Sequence, residues 1–383
     1  MLEITKSVKP EFSDEEGLPG SRESLVFFDI ETTGLKASRS SLYLIGLLFF
    51  EGEEWIFKQF FAEDMYDEPL LLDAFFGIIN KKRASSENTI LIHYNGDMFD
   101  IPFIKNCVKS YRLPYDFSAV ISLDMYRKIK PLKAFLGLPD CKLKSVEKFL
   151  GRYREDKYSG GELIYVYEDF LRRRHQGRDT GEQAELLLLH NEEDIMNMPL
   201  VLAMLAYSEL FSGELVLISQ DIVDLNSPGF RSGKEVLDLN YALPSRLPRD
   251  LDFCLGPFNI ALSEKRMNLA ADMREGELKY FLSDYKNYYY LTFEDYAVHK
   301  SIGEFVDRKA RKQATARTCY LKSSGLFFPQ PKEIFTPGFY EEYKSKDIYA
   351  KYDGNVFKDR TKASEYAHAV LEAVLKSSGK KDS

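Results

Sequence analysis

Acidic side chains follow three strongly apolar segments of this 383-residue chain, at residues 25–35, 90–100 and 187–194. An unpaired charge beside an apolar run is costly to hold, so acids in such places usually have a partner. Four carboxylates that meet at one point would form an oxygen-rich site for Mg²⁺ or Mn²⁺. Two such ions close together are a common means of cleaving phosphodiester bonds. The four candidate metal ligands are Asp29, Glu31, Asp100 and Asp194.

The first segment ends in the sequence DIETTGL, at residues 29–35. Residues i and i+2 of a strand point to the same side, so Asp29 and Glu31 can face one pair of metal ions. The Thr-Thr-Gly turn that follows offers backbone N–H groups and little bulk to the end of a nucleotide. The alternative is a polar strand end without function, which is the better interpretation of this motif taken alone.

The second segment contains the sequence YNGDMFD, at residues 94–100. Asp100 is either a metal ligand or the N-cap of the helix that follows, and Asp97 fits the N-cap role about as well. Asn95, at the end of the strand, is either a turn residue or a substrate contact.

The third segment pairs His190 with Asp194, four residues later. On a helix this spacing places both side chains on one face, one turn apart. The alternative is a solvated helix face, which the neighbouring Glu192 and Glu193 support. The order of all three motifs, each after its own apolar element, favours one shared acidic site.

Hydrophobic periodicity predicts the elements that would position these residues. Strands are predicted at 25–30, 41–50, 55–61, 89–94 and 119–123. Helices are predicted at 68–82, 99–108, 144–150, 162–174, 182–191 and 194–210. This order of strands and helices indicates an α/β sheet with helices packed on it.

A domain boundary is predicted near Ser212-Gly213 and the loop around residues 227–233. Beyond it, short strands at 252–262, 267–271, 277–282 and 287–291, a basic helix at 302–314 and a last helix at 361–375 indicate an α+β domain rich in short strands. The predicted organisation is a polar N-terminal segment (1–23), an α/β domain (24–211), an α+β domain (212–376) and a disordered tail (377–383).

The segment from Lys300 to Lys322, with both ends included, contains seven Lys or Arg residues. Arg308, Arg311 and Lys312, on the predicted basic helix, are candidate contacts to the phosphates of a single strand. The alternative is a solvated helix face.

Composition bounds the class of protein. The net charge of −8 does not exclude a nucleic-acid partner, because acids that bind metal count as negative here and basic residues cluster locally. No apolar run is long enough to span a bilayer, and the acidic start does not resemble a secretory signal. The four cysteines have no metal-binding or redox spacing, so we expect reduced thiols in a cytoplasmic protein. Because the sequence has no bilayer-length apolar run, we expect no membrane partner.

Together the motifs resemble those of the DEDD (DnaQ-like) superfamily of 3′–5′ exonucleases, which have the ribonuclease H-like fold. FDIETTGL (28–35) is similar to the first exonuclease motif, and YNGDMFD to the second motif as seen in proofreading domains of family B DNA polymerases. His190-x-x-x-Asp194 occupies the place of the third. More narrowly, residues 24–210 resemble the bacterial YprB-type RNase H-like exonucleases. The resemblance implies a ribonuclease H-like mixed sheet with flanking helices.

The resemblance also implies a two-metal mechanism, in which the four acids hold two divalent ions, Mg²⁺ or Mn²⁺. Hydrolysis from the 3′ end of a single strand would release nucleoside 5′-monophosphates. Thr33, Gly34 and Leu35 would lie against the terminal nucleotide, with Leu35 wedged against a base, and Asn95 would contact the substrate backbone.

The third motif departs from the superfamily pattern. One branch has Tyr-x-x-x-Asp and the other His-x-x-x-x-Asp, whereas this chain has the histidine at the tyrosine branch's spacing. His190 is therefore either a general base or a residue that only orients the attacking water.

Two alternatives accompany the DNA exonuclease that we favour. An RNA-processing exoribonuclease would use the same chemistry and would differ in its contacts to the 2′ position of the substrate. A catalytically inactive nucleic-acid-binding module would also have this fold. The intact set of four acids argues against the inactive module.

Overall fold

The structure is a computed structural model that describes residues 1–12, 17–86, 88–155, 158, 160–224 and 235–381. The chain divides into two compact units, Met1–Ser208 and Glu209–Ser383. Within the described residues, no helix is both long and apolar enough to cross a membrane.

A six-stranded mixed sheet forms the centre of the first unit. Its strands are β1 (Leu2–Val8), β2 (Leu25–Thr32), β3 (Leu42–Glu51), β4 (Glu54–Phe61), β5 (Thr89–His93) and β6 (Val120–Asp124), in the order β1-β4-β3-β2-β5-β6. β2, β5 and β6 are parallel neighbours, and the other pairs are antiparallel. The carboxyl ends of the parallel strands therefore meet at one edge, where the first two motifs begin.

Helices accompany this sheet along the chain, and the apolar side chains of those at 68–85, 100–111, 160–175 and 181–201 form one core with it. The helices are α1 (Glu68–Ser85), α2 (Asp100–Tyr111), α3 (Met125–Ile129), α4 (Leu143–Phe149), α5 (Gly160–His175), α6 (Gly181–Val201) and α7 (Leu205–Glu209). The predicted α/β class is confirmed. The two helices predicted at 182–191 and 194–210 are instead one helix to Val201, because buried Leu187, Asn191, Ile195 and Met198 continue a single face past the acidic pair at 192–193.

The polar N-terminal segment, in which no strand is predicted, contains the edge strand Leu2–Val8. It pairs antiparallel with β4, from Leu2 opposite Phe61 to Val8 opposite Trp55. Because this strand contains exposed charged residues, hydrophobic periodicity does not predict it. Charges are common on edge strands, because they discourage pairing with other chains.

The second unit is rich in strands, as predicted. One antiparallel sheet has the order β7 (Val216–Asp224), β8 (Glu235–Ala242), β11 (Arg266–Asp272), β10 (Phe258–Ser263) and β9 (Leu251–Leu255). A second contains β12 (Arg274–Phe281), β16 (Tyr320–Gln330) and β17 (Ile348–Lys351), and a third contains β14 (Tyr296–His299), β13 (Tyr288–Leu291) and β15 (Arg311–Gln313). The predicted boundary loop around 227–233 lies outside the described residues.

The described part of the second unit also contains the α-helices α8 (Lys300–Gly303) and α9 (Arg360–Lys381). α9 continues well past its predicted end at 375, into the segment predicted to be a disordered tail; residues 382–383 lie outside the described part.

The predicted basic helix at 302–314 is wrong. α8 ends at Gly303, and Arg311–Gln313 pairs with β13 as a strand. Arg311 donates a hydrogen bond to the Gly303 carbonyl and lies over the Tyr289 ring, 4.6 Å from its centroid. The charged residues 304–310, between α8 and β15, have no apolar periodicity that would stabilise a helix. The contacts of Arg311 with Gly303 and Tyr289 hold residues 311–313 against β13 as a strand.

Candidate active site

Strand β2 carries the first two acids at the edge of the sheet where the parallel strands end. Asp29 pairs with Gly46 of β3 and Glu31 with Leu44, before the pairing register shifts between Glu31 and Thr32. Because side chains alternate along a strand, Asp29 and Glu31 point to the same face, as the sequence predicts.

Asp100 is the first residue of α2 and is buried. Its carboxylate is close to the backbone N–H groups of Asp100 itself and of Ile30, which favour its charged form. Because Ile30 lies between Asp29 and Glu31 on β2, Asp100 is near the two acids of the first motif. Asp97, the other candidate for the N-cap role, instead accepts hydrogen bonds from Ser122 and Arg127.

Helix α6 places His190 and Asp194 beside Glu31 of β2. The His190 Nε2 atom lies 3.4 Å from Glu31 Oε1 and 3.7 Å from Asp194 Oδ2. One possible ligand atom from each of these three residues lies within 4.8 Å of the others. Such a spacing allows a single ion to contact all three.

Asn191, next to His190, is a site residue that sequence reasoning did not identify. It is fully buried, and its Nδ2 atom donates to Asp29 Oδ2 at 3.0 Å. Gln59 on β4 donates to Asn191 Oδ1 at 3.0 Å. Gly46 leaves the space that Asn191 occupies, since a Cβ there would lie 2.1 Å from Asn191 Oδ1. An amide inside an apolar helical stretch was the available signal.

The four predicted acids interact electrostatically. Burial raises the pKa of Asp29 well above its usual range, and the negative charges of Asp194, Asp100 and Glu31 raise it further, while the hydrogen bond from Asn191 opposes them. Burial also raises the pKa of Asp100 to about 7, although its backbone hydrogen bonds act in the opposite direction. Mutually repelling, buried carboxylates are a suitable environment for a divalent cation.

The fold and this geometry agree with a known family. Residues 26–206 match the family model described as the RNase_H superfamily. This match agrees with the ribonuclease H-like fold of the first unit. The matched range contains all four acids and His190.

Solved structures similar to this chain include exonuclease I from two sources. Exonuclease I of E. coli in complex with a dA16 oligonucleotide is 15% identical, with 58% of this chain and 55% of that chain covered and a TM-score of 0.27. A moderately thermophilic exonuclease I from Methylocaldum szegediense is 12% identical over 91% of this chain and 70% of that chain, with a TM-score of 0.28. No curated protein matches the chain.

A polar network in the RNase H-like domain holds the second motif in place. Buried His93 accepts the Gly96 N–H at Nδ1 (3.0 Å), so its Nε2 carries the proton and donates to Ser122 Oγ at 2.7 Å. The Ser122 hydroxyl in turn donates to Asp97 at 2.6 Å. Burial lowers the pKa of His93. This neutral histidine does not take a proton from the serine, so the serine, histidine and aspartate are a structural chain, unlike a catalytic triad.

Asn95 forms the turn that this network supports. Its φ is 64°, in the left-handed region that asparagine tolerates, and its N–H donates to Asp124 at 2.9 Å. The turn role of Asn95 is therefore evident, and its substrate contact stays a prediction.

The turn after β2 presents Leu35 to solvent. Thr33 exchanges hydrogen bonds with Ser41, because its hydroxyl accepts the Ser41 N–H and its own N–H donates to the Ser41 carbonyl, both at 2.9 Å. A Cβ at Gly34 would lie 2.7 Å from Ser40 Oγ. Leu35 is 84% exposed, which leaves its side chain available for a contact. The predicted nucleotide contacts of these three residues stay a prediction.

The predicted basic contacts lie in the second unit. Arg308 and Lys312 are exposed, whereas the Arg311 guanidinium is occupied by Gly303 and Tyr289. Arg311 therefore serves the packing of the third sheet, and Arg308 and Lys312 are the better candidates for phosphate contacts.

A second group missed from the sequence is an ion pair beside the acids. Arg154 donates to Asp194 and to Glu147, and both Arg154 and Glu147 are almost completely buried. Arg154 stands in a polar loop with charged neighbours, so its sequence context gave no signal.

Proposed function

We propose that this protein is a metal-dependent 3′–5′ exonuclease of the DEDD type that hydrolyses single-stranded nucleic acid, with DNA favoured over RNA. The observation that carries the proposal is the meeting of Asp29, Glu31, Asp100 and Asp194 with His190 at one edge of an RNase H-like sheet. The direction of cleavage is supported by the similarity of the three sequence motifs to those of 3′–5′ exonucleases.

The donor set fits a divalent metal. Carboxylate oxygens are the ligands that Mg²⁺ and Mn²⁺ prefer, and the burial and mutual repulsion that raise the pKa of Asp29 would be relieved by a bound cation. The residues that would hold it are the four acids. When bound, divalent ions make a potent nucleophile of water at neutral pH and stabilise the charge that develops on the phosphate.

The chain's own residues supply the remaining functions. Asn191 fixes the Asp29 carboxylate through a hydrogen bond, and the backbone N–H groups of Asp100 and Ile30 favour the charged form of Asp100. His190 lies beside Glu31 and Asp194, where a neutral imidazole can accept a proton from the attacking water. Leu35 would wedge against the terminal base, with Thr33 and Gly34 shaping the turn and Asn95 near the substrate backbone.

A degradation assay tests the proposal. Single-stranded DNA and RNA, each labelled at either the 5′ or the 3′ end, are incubated with the full chain plus Mg²⁺, Mn²⁺ or EDTA. We expect a ladder of 5′-labelled products that shortens from the 3′ end, release of nucleoside monophosphates, and no cleavage in EDTA. Shortening from the 5′ end, or equal cleavage with and without metal, would refute the proposal.

We also propose that Arg308 and Lys312 contribute affinity for the strand without taking part in the chemistry. Each phosphate contact that a cation neutralises steepens the salt dependence of binding, with a slope of about 0.7 per contact for single strands. The double variant R308A/K312A is expected to bind labelled dT oligonucleotides more weakly and with a flatter salt slope, by roughly 1.4 for two contacts. The measurement is fluorescence anisotropy over a range of salt concentrations.

The matched control for this prediction is K346A, which removes another exposed cation of the second unit outside the basic cluster. If R308A/K312A binds with the affinity and salt slope of the wild type, the basic residues from Lys300 to Lys322 form only a solvated surface.

A further inference from the structure

An arginine from outside the three motifs contacts the acid cluster. Arg154 lies in the loop after α4, and its side chain is only 5% exposed. Its Nη1 donates to Asp194 Oδ1, its Nη2 donates to Glu147 Oε1 at 2.6 Å, and its Nε donates to the other oxygen of the same glutamate. Arg154 thus joins a buried carboxylate of α4 to a predicted metal ligand of α6.

The pair with Glu147 fixes the plane of the guanidinium. Two parallel N–H···O bonds between an arginine and one carboxylate allow little rotation. The remaining Nη1 donor therefore reaches Asp194 from one direction. Since Arg154 occupies Asp194 Oδ1 while Oδ2 faces His190 Nε2 at 3.7 Å, the two oxygens of Asp194 have different neighbours and its carboxylate has one orientation.

Glu147 also balances the charge of Arg154. A lone cation against Asp194 would cancel the negative charge that a divalent ion needs. Because Glu147 is itself ion-paired with the guanidinium, Arg154 and Glu147 together are neutral. Asp194 is then held by a hydrogen bond and keeps its charge for a metal.

We propose that Arg154, held by Glu147, is the positioning residue that presents Asp194 to a divalent cation. This inference rests on the proposed function, since it takes Asp194 as a metal ligand. Partners that orient a metal ligand in this way are typically worth 10–100-fold in metal affinity or activity.

Two conservative variants of the full chain test the assignment. R154K keeps the positive charge but loses the planar fork, and E147Q keeps the side-chain shape but removes the balancing charge. We expect both to bind Mn²⁺ about 10- to 100-fold more weakly in calorimetric titration, and their cleavage rates to recover towards that of the wild type as Mn²⁺ is raised.

E193Q is the matched control. Glu193 accepts the Glu155 N–H at 2.9 Å, so it ties the same loop to α6 at a residue next to Asp194. Its Mn²⁺ affinity is expected to equal that of the wild type. Circular dichroism and thermal melting establish that each protein is folded, and if R154K does not fold, E147Q decides.

The outcomes separate this inference from the proposed function. A wild type that binds Mn²⁺ and cleaves, together with an R154K or E147Q of unchanged Mn²⁺ affinity, would reduce Arg154 to a structural bridge and overturn the inference alone. A wild type that binds no divalent ion would overturn the proposed function and the inference with it.

Discussion

Replacing Asp29 with asparagine is expected to abolish nuclease activity while leaving the fold intact. Asparagine keeps the side-chain shape and an oxygen that can still accept the hydrogen bond from Asn191, but it removes a charged oxygen from the predicted metal site. Metal ions contribute several kcal/mol of transition-state stabilisation, and each tenfold in rate corresponds to about 1.36 kcal/mol. We therefore expect a loss of roughly 10³-fold or more, measured as release of nucleotides from a single strand.

The same variant has an expected effect on stability in EDTA. The pKa of Asp29 is higher in the folded protein than in the unfolded chain, so folding favours the protonated carboxyl. The stability that this shift provides is present below the unfolded-state pKa and is lost as pH rises towards the folded-state value. Above that value the ionised carboxylate destabilises the metal-free fold. At neutral pH, metal-free Asp29→Asn should therefore melt at the same or a higher temperature than the wild type, and its advantage should shrink at acidic pH.

Glu192→Gln provides the control for these measurements. Glu192 lies on α6 between His190 and Asp194 in sequence, yet its carboxylate pairs with Lys6 at 2.6 Å. Glu192→Gln removes a carboxylate of α6 that lies outside the site, so its activity should be close to that of the wild type. Cleavage by Asp29→Asn at a near wild-type rate would contradict the assignment of Asp29 as a metal ligand.

The sequence predicted the parts of this domain that depend on apolar periodicity. β2 and β5 are runs of buried residues, so their strands and the polar residues at their ends could be located directly. The i, i+2 spacing of Asp29 and Glu31 and the i, i+4 spacing of His190 and Asp194 fixed which side chains share a face. Leu2–Val8 was missed because an edge strand can be polar on its exposed face, so its sequence has no apolar run.

The supporting residues could not be predicted, because their roles depend on packing between distant elements. Asn191 contacts Asp29 only because β3 provides Gly46 opposite it, and Gln59 reaches it from β4. Arg154 and Glu147 have the composition of an ordinary surface loop and helix, and only the fold shows that they are buried beside Asp194. Local charge patterns do not distinguish such pairs from solvated ones.

Replacing His190 with alanine is expected to lower the cleavage rate by roughly 10²- to 10⁴-fold, the usual contribution of general acid–base catalysis. His190 is buried and its Nε2 lies between Glu31 and Asp194, so it is placed to act on a water molecule at the acid cluster. We expect His190→Ala to keep the Mn²⁺ affinity and the single-strand affinity of the wild type. His190→Tyr should restore part of the rate if the side chain only orients water, and should restore none if it must accept a proton, because a phenol is a hydrogen-bond donor at neutral pH.

The measurements that decide this role are the single-turnover cleavage rate and the Mn²⁺ dissociation constant of the same protein preparation. A slower cleavage rate at unchanged Mn²⁺ affinity supports the proposal that His190 acts on the attacking water. Affinity that weakens in step with the rate would make His190 a metal ligand, which its distances to both acids also allow. His175→Ala is the control, since His175 is an exposed histidine at the end of α5, near Asp64 and away from the cluster. If His190→Ala cleaves as fast as His175→Ala, the histidine of the third motif has no part in catalysis.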